Sequence, residues 1–207
     1  HKEYRRQRQM CIRDSPTTIE HAMHICLTSD PDRPNKFLEE TSFFVKAISD
    51  FNLIDSNTKV LDFGCGMGRV SRGLVEYFGC DVIGLDTSEN MLKFANIFVG
   101  NPKKFTTVTE YKEKETIDVA VACFVLQHVQ YPDKEIQTIY DSLKPGGHLI
   151  LLNENIRYVP NEIGKGNFII WKDDEYNIFS EIDKKFDLID SIAYMNTDKS
   201  IKIYKKV

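Results

Sequence analysis

The stretch KVLDFGCGMGRVSRGLVEYFGCDVIGLD at 59–86 decides the fold. A short apolar run at 59–63 stops at glycines, and residues 69–78 return to helical spacing before Gly79. DVIGLD at 81–86 then predicts a second strand. A strand, a glycine turn, a helix and another strand form the repeating unit of an α/β sheet, in which helices connect parallel strands.

The same alternation extends along the rest of the chain. The run at 117–124 is apolar enough for a central parallel strand buried on both faces, and KPGG at 144–147 predicts a turn. We predict helices at 36–52, 69–78, from a cap at Thr87 or Ser88 to near Gly100, from Asp133 to Leu143 and at 173–183. We predict strands at 59–63, 81–86, 105–108, 117–124, 148–154, 186–195 and 200–207.

The composition is that of one folded domain. The chain has 207 residues, of which 42% are hydrophobic and 28% charged, and compact domains usually run about 100–200 residues. Its 31 acidic and 27 basic residues give a net charge of −4, so the basic character of a nucleic-acid-binding protein is missing. The longest apolar run, 117–126, has 10 residues, whereas a membrane helix needs about 20. We therefore expect neither nucleic acid nor a membrane as partner.

The glycine turn indicates the class of ligand. Gly64 and Gly66 allow the backbone to bend tightly and approach a ligand closely, next to the free N–H groups of the following helix. A dinucleotide fingerprint needs a small residue where this chain has the long Arg69. The carboxylate of Asp62 would repel a pyrophosphate but attract the ammonium or sulfonium group of S-adenosylmethionine. The pattern favours a cationic, phosphate-free adenosine compound over NAD.

Four motifs in order resemble the class I S-adenosylmethionine-dependent methyltransferases of the small, single-domain, metabolite-modifying type. They are DFGCGMG at 62–68, GLDTSENML at 84–92, IDVAVACFVLQHV at 117–129 and LKPGGHLIL at 143–151. The resemblance implies a Rossmann-like α/β fold, a sheet of seven mostly parallel strands with helices on both faces and an antiparallel last strand. It also implies S-adenosylmethionine as cofactor and transfer of its methyl group to a small molecule.

The resemblance assigns roles to residues near the turn. Asp86 would bind the ribose hydroxyls, Gly64 and Gly66 would line the methionine half, and Gly68 would serve helix–strand packing rather than contact a ligand. The acidic adenine contact expected after the third strand is blurred between Thr109, Glu110 and Tyr111. Met91 would cover the adenine or ribose face, or else belong to the core. The predicted cofactor-binding residues are Asp62, Gly64, Cys65, Gly66, Asp86, Thr87, Met91 and Phe124.

His128 is the candidate catalytic residue. Methyl transfer resembles an in-line displacement, so a base is needed only when the acceptor must lose a proton, and histidine suits that role near neutral pH. A structural hydrogen bond is the alternative for His128, and Gln127 is a candidate for orienting substrate. Substrate recognition is expected from the segments 16–40 and 155–183. Their aromatic candidates, which core packing would also explain, are Tyr158, Phe168, Trp171, Tyr176 and Phe179.

The predicted domain organisation is simple. MCIRDS at 10–15 resembles a translated sequencing adaptor, so residues 1–15 are interpreted as an extraneous or disordered tail. Residues 16–207 are predicted to form a single methyltransferase domain. Within it, residues 16–55 are cap helices, 56–156 the cofactor-binding core and 157–207 the substrate-side segment with the C-terminal strand pair.

The predicted compartment and the expected lack of a metal rest on the absence of a secretory signal and of a metal-binding cysteine pattern. No secretory signal is visible, and the five cysteines include no CxxC pair, so we expect a cytoplasmic protein with reduced thiols and no metal. His21 and His24 share a possible helix face, but no third ligand accompanies them.

Two other functions are open at this point. A regulatory module that binds S-adenosylmethionine without catalysis would carry the same motifs. A nicotinamide-dependent oxidoreductase is disfavoured by Arg69 and Asp62.

Overall fold

The computed structural model describes residues 16–26, 33–129, 131–154 and 176–207. The strands there are β1 Lys59–Phe63, β2 Asp81–Leu85, β3 Phe105–Val108, β4 Ile117–Cys123, β5 Leu143–Leu152, β6 Phe186–Ala193 and β7 Ser200–Lys206. The helices are α1 Ile19–Cys26, α2 Arg33–Ser49, α3 Arg69–Phe78, α4 Glu89–Val99, α5 Pro132–Ser142 and α6 Ile178–Ile182, with a 3-10 turn at Leu126–His128.

The strands form one sheet in the order β3-β2-β1-β4-β5-β7-β6. The pairs β2–β3, β1–β4 and β4–β5 are parallel, whereas β7 runs antiparallel to both β5 and β6. The predicted fold class, a mostly parallel Rossmann-like sheet with an antiparallel last strand, is confirmed.

Strand β4 is buried as its composition predicts. Val119, Ala120, Val121 and Ala122 expose at most 1% of their surface, and β4 pairs with β1 on one side and β5 on the other. A strand covered on both faces needs apolar residues at successive positions rather than at alternate ones. This strand is therefore a buried apolar strand, and its carboxyl end leads directly to Phe124.

The fifth strand differs from its prediction. KPGG lies inside β5, which begins at Leu143, rather than forming a turn before a strand at 148–154. The pairing register shifts from Ile117 opposite Leu143 to Val119 opposite His148. Gly146 has a φ of +74°, so the glycines accommodate the extra residues as an irregularity within the strand.

Two helix boundaries also differ from their predictions. The helix predicted at 36–52 spans Arg33–Ser49, and the one predicted at 173–183 is present as Ile178–Ile182, with 173–175 outside the described residues. The interpretation of 1–15 as a tail also lies outside them. Within the described part of the chain, no helix is both long and apolar enough to cross a membrane.

By its internal contacts the chain divides into two compact units. Of the described residues, the first unit contains 16–26, 33–58 and 64–110. The second unit contains 59–63 and the described residues from Tyr111 to Val207.

Each unit has its own core. In the first, Ala22 of α1 and Phe37 of α2 cluster with Met67 and Met91, and Phe98 packs against them. In the second, the rings of Phe186 and Tyr204 meet edge to face with centroids 6.4 Å apart. These cores hold the chain segments that carry the predicted site residues.

Candidate functional site

The glycine loop at 64–68 follows β1 and is folded as the sequence requires. Gly64, Gly66 and Gly68 have φ angles of +73°, +54° and +83°, which L-residues with side chains adopt at a cost. The N–H groups of Gly64 and Cys65 both donate to the carbonyl of Leu85, at 2.7 and 2.9 Å. The loop is thereby fixed to the carboxyl end of β2.

Asp86 fixes the same loop through its side chain. One carboxylate oxygen accepts the N–H of Gly66 at 2.9 Å, and the other accepts the N–H of Ser88 at 2.8 Å. Burial raises the pKa of Asp86, although these two N–H donors favour its charged form. A carboxylate has about four acceptor positions, so two hydrogen bonds leave acceptor capacity for a pair of hydroxyls.

The space beside Gly66 is closed by helix α1. A Cβ added at Gly66 would lie 3.2 Å from the Sγ of Cys26, which is tighter than an ordinary contact. Glycine is therefore favoured at this position by its φ, and a Cβ there would also require the Cys26 side chain to shift.

Gly68 and Arg69 are explained by packing. A Cβ at Gly68 would lie 2.9 Å from the Cγ2 of Val99 and 3.2 Å from the Cβ of Ala95 on α4. The guanidinium of Arg69 turns toward α2, where it lies 3.5 Å from a carboxylate oxygen of Glu40 and over the ring of Phe37. The long side chain of Arg69, which disfavours a dinucleotide site, is thus accommodated by its contacts with α2.

The structure also places the remaining predicted cofactor residues of the first unit. Cys65 is buried, and its thiol contacts the carbonyl of Gly66 at 3.6 Å. Met91 exposes 5% of its surface and packs in the core cluster, so its core role is observed and its contact with a cofactor stays a prediction. Thr87 is exposed, and Ser88 rather than Thr87 caps α4 by accepting the N–H of Met91.

In the second unit, Asp62 and Phe124 lie at the carboxyl ends of neighbouring strands. Asp62 is 1% exposed and pairs with Val121 across β1 and β4. Phe124 directly follows β4 and has a φ of +55°, a left-handed conformation that is uncommon for an aromatic residue. Its N–H donates to the carbonyl of Leu152 at 2.6 Å, so the hydrogen bonds to β5 continue through the bend.

The ring of Phe124 lies against the turn between β6 and β7. It meets the ring of Tyr194 edge to face at 5.9 Å, and the ammonium of Lys199 lies 5.7 Å from its centroid. Lys199 also pairs with Glu154 at 3.1 Å. The loops after β4, β5 and β6 therefore meet at one place.

His128 and Gln127 belong to a hydrogen-bonded group in the same unit. Gln127 accepts the N–H of Glu154 through Oε1 at 2.7 Å, and its own N–H donates to Asn153 Oδ1 at 3.2 Å. The Nε2 atoms of Gln127 and His128 are 3.4 Å apart. Gln127 and Asn153 are 4% and 3% exposed, and both side chains are hydrogen-bonded, as buried polar groups usually are, whereas His128 and Glu154 are half-buried.

Several candidates gain no support as site residues. Tyr111 is buried and its hydroxyl is 2.7 Å from the hydroxyl of Thr116, so it serves packing; the adenine contact is unassigned. Phe179 lies beneath the ammonium of Lys202. No group of metal-ligating side chains occurs among the described residues. Tyr158, Phe168, Trp171 and the side chain of His24 lie outside the described residues.

Sequence reasoning missed Asn153, Glu154, Tyr194 and Lys199. The first two follow a buried strand in the run LLNE at 151–154, and polar residues at the carboxyl end of a parallel strand were a usable signal. Tyr194 and Lys199 gave no such signal, because they approach Phe124 only after β6 and β7 have paired.

Comparison with known proteins identifies the family. A family model described as a methyltransferase domain matches residues 32–197. This range includes the glycine loop, Asp86, the 3-10 turn at 126–128 and strand β6, and it ends before β7.

Two curated relatives match the chain over shorter stretches. The ubiquinone biosynthesis O-methyltransferase of Aliivibrio fischeri strain ES114 is 35% identical over 108 residues, which are 48% of this chain and 46% of the relative. Phosphoethanolamine N-methyltransferase 3 of Arabidopsis thaliana is 32% identical over 121 residues, which are 55% of this chain and 24% of the relative. The chain therefore matches less than half the length of these relatives.

A solved structure of similar fold is that of the 4+2 cyclase SpnF. Its TM-score is 0.60 at 15% identity, with 79% of each chain covered. This likeness concerns the fold alone. Because a protein named as a cyclase shares the fold, the architecture by itself does not determine the reaction.

Proposed function

Because this chain belongs to the methyltransferase domain family, we propose that it transfers a methyl group from S-adenosylmethionine to a small-molecule acceptor. The observation that carries the proposal is the glycine loop fixed by Asp86, whose carboxylate accepts the N–H of Gly66 at 2.9 Å. The matched relatives are named for an O-methyl and an N-methyl transfer, so they leave the acceptor atom of this chain open.

The residues of the loop fit the proposed cofactor. Gly64 and Gly66 bring the main chain close to a ligand without a Cβ, and Asp86 offers acceptor positions that match the two ribose hydroxyls. Thr87 and Met91 follow Asp86 at the start of α4 and are proposed to border the same ligand. Asp62 and Phe124 are proposed as further contacts, as is the backbone of Cys65.

The proposed reaction needs few catalytic groups from the protein, because the methyl group of S-adenosylmethionine is already activated by the positively charged sulfur. S-adenosylmethionine supplies a methyl carbon bonded to a positively charged sulfur; the acceptor's lone pair forms the new bond as the carbon–sulfur bond breaks and its electron pair goes to sulfur. The protein contributes alignment of the two reactants and exclusion of water. His128 is proposed to contact the acceptor.

Calorimetric titration of the full chain with S-adenosylmethionine, its demethylated product and NAD tests the cofactor. We expect the first two to bind and Asp86→Ala to weaken them by about 1–3 kcal/mol, because charged hydrogen bonds to the ribose are lost. Asp81→Ala is the matched control, since Asp81 is an exposed carboxylate at the opposite end of β2. Binding of NAD alone would defeat the proposal.

A labelled-methyl transfer screen against metabolite pools then tests catalysis. A labelled small-molecule product supports the transferase. If the cofactor binds and no pool accepts the label, the non-catalytic binding module becomes the better description. The cytoplasmic location and the exclusion of nucleic acid as a partner stay predictions from the sequence.

A further inference from the structure

The loops after β4, β5 and β6 come together at the carboxyl edge of the sheet in the second unit. The ring of Phe124 lies against that of Tyr194 at 5.9 Å, and the ammonium of Lys199 reaches Glu154 at 3.1 Å. Strands β5 and β6 run in the same direction, because both pair antiparallel with β7. Ligands of open α/β sheets bind beyond the carboxyl ends of the strands. This corner therefore lies where a substrate is expected.

The backbone of Phe124 is a second sign of function at this corner. Its φ of +55° is a genuine outlier for a bulky side chain. Such conformations persist only where surrounding contacts impose them, and they cluster at active and ligand-binding sites. Here the hydrogen bond to Leu152 and the contacts of the ring with Tyr194 and Lys199 impose the bend. The fold thus holds a half-buried aromatic ring against the ion pair of Lys199 and Glu154.

The two members of this ion pair are held differently. Among the described residues, the Glu154 carboxylate has Lys199 as its partner, whereas the ammonium of Lys199 also lies 5.7 Å from the centre of the Phe124 ring. The side chains of Lys199 and Glu154 are 29% and 28% exposed, and partly exposed ion pairs contribute little to stability. An anion from solution can therefore replace the Glu154 carboxylate while the ring keeps the ammonium in place.

We propose that Lys199 is a specificity-determining residue whose ammonium binds an anionic group of the methyl acceptor, while the ring of Phe124 packs against the rest of that molecule. In the described parts of the loops after β4, β5 and β6, Lys199 is the one lysine or arginine. An ammonium binds a carboxylate or a phosphate as a point charge, so the chemistry that both share is a negative charge. This inference rests on the proposed function, because it concerns the acceptor of the methyl group.

A methyl-transfer assay on charge-separated metabolites tests the acceptor class with the unaltered full chain. A metabolite extract is separated on an anion-exchange resin at neutral pH, and each fraction is incubated with methyl-labelled S-adenosylmethionine. We expect the retained, anionic fraction to accept the label. Phosphatase treatment of that fraction beforehand distinguishes the two sources, because it removes phosphate monoesters and leaves carboxylates. Transfer to the unretained fraction alone would overturn the proposal.

Variants of the pair then test each charge with an acceptor purified from the retained fraction. Lys199→Gln should raise KM about tenfold at similar kcat, because it removes a charge-assisted hydrogen bond that is made equally in the ground state and the transition state. Lys199→Arg keeps the charge and should keep KM near that of the unaltered protein. Glu154→Gln removes the competing carboxylate, so it should lower KM. If the pair were merely structural, Lys199→Gln and Glu154→Gln would change KM in the same direction, and that result would overturn the proposal.

Lys114→Gln is the matched control for the loss of one positive charge. Lys114 pairs with Asp141 at 2.9 Å and precedes β4, so it lies at the opposite edge of the sheet. We expect Lys114→Gln to leave KM unchanged. An equal rise of KM in Lys114→Gln and Lys199→Gln would show a general effect of net charge and would overturn the assignment of Lys199.

The outcomes separate this inference from the proposed function. If no fraction accepts the label, methyl transfer itself fails and the inference fails with it. If an anionic acceptor is methylated and its KM is the same in Lys199→Gln as in the unaltered protein, the proposed function stands and the assignment of Lys199 is wrong.

Discussion

The loop at 64–68 and the turn at 124–128 both bend the backbone after a strand, but different interactions maintain the two bends. Each follows a parallel strand and bends the backbone through positive φ, at +73°, +54° and +83° in the loop and +55° at Phe124. The loop uses glycines, which adopt these angles without strain. The turn uses an aromatic residue held by Leu152, Tyr194 and Lys199. A bend made by residue type is local, whereas a bend made by contacts depends on distant parts of the chain.

The largest expected loss of stability comes from replacing a glycine of the loop at 64–68. Gly68→Ala would force a left-handed alanine, at about 1–2 kcal/mol, and press its Cβ to 2.9 Å from Val99 and 3.3 Å from the backbone of Ala95, an overpacking that adds about 1–3 kcal/mol. Denaturant unfolding should show the loss. Gly100→Ala is the matched control, because Gly100 has a φ of +64° and its nearest neighbour would be 3.6 Å away.

The comparison of these two variants isolates the close approach of α3 and α4. If Gly68→Ala is no less stable than Gly100→Ala, the glycine at 68 is explained by its φ alone and the helix-packing role is wrong.

The same contrast explains how far the sequence predicts the molecule. Strand β4, the glycine loop and the two antiparallel strands are visible in the sequence because apolar runs and glycines act locally. The turn predicted at KPGG is wrong, because glycine and proline occur both in turns and in strand irregularities, and this segment lies inside β5. Only the register of β4 against β5 distinguishes the two.

For the candidate site, too, the sequence predicts which residues follow the strands but not the contacts between residues that are distant along the chain. The sequence places Asp86 beside the loop, but it does not show that its carboxylate binds the N–H groups of Gly66 and Ser88. The hydrogen bond from Glu154 to Gln127 joins residues 27 positions apart, and Lys199 is farther still along the chain. No local pattern contains such a pair, because it forms only when the sheet does.

A smaller effect on stability is expected from Asp86→Asn. The carboxylate of Asp86 is proposed to bind the ribose, but its burial disfavours the charged form in the folded protein. Burial raises the pKa of Asp86 in the folded protein, so folding favours its protonated form. That contribution is complete below the ordinary carboxyl pKa of about 3.9 and is lost as the pH rises through the raised value. Asp86→Asn cannot ionise. We expect its stability relative to the unaltered protein to increase between about pH 4 and about pH 7.

Urea unfolding of both proteins at the two pH values measures this difference. The asparagine keeps one oxygen and loses one acceptor, which costs about 1 kcal/mol at either pH, so the change with pH is the informative quantity. A relative stability that falls with rising pH would show that the two N–H donors outweigh burial. The loop would then be stabilised by the charge rather than strained by it.

The smallest effect is expected at the turn's surface contacts. Lys199→Gln removes an ion pair with Glu154 whose side chains are 29% and 28% exposed and a cation–ring contact with Phe124 at 5.7 Å. Such partly exposed interactions contribute about 0–1 kcal/mol each. Unfolding at low and high salt should give a small loss that shrinks with salt. Lys93→Gln, at an exposed lysine of α4, controls for the change in net charge.

A small loss of stability in Lys199→Gln would indicate that buried hydrogen bonds, and not the ion pair of Lys199, stabilise the turn at 124–128. The N–H of Phe124 bonds Leu152 at 2.6 Å and that of Glu154 bonds Gln127 at 2.7 Å, and both bonds persist without the lysine. Because buried hydrogen bonds are costly to leave unmade, they and not the ion pair should keep the +55° bend at Phe124. A loss well above 1 kcal/mol would reverse that ranking and make the β6–β7 turn a structural requirement for the position of His128.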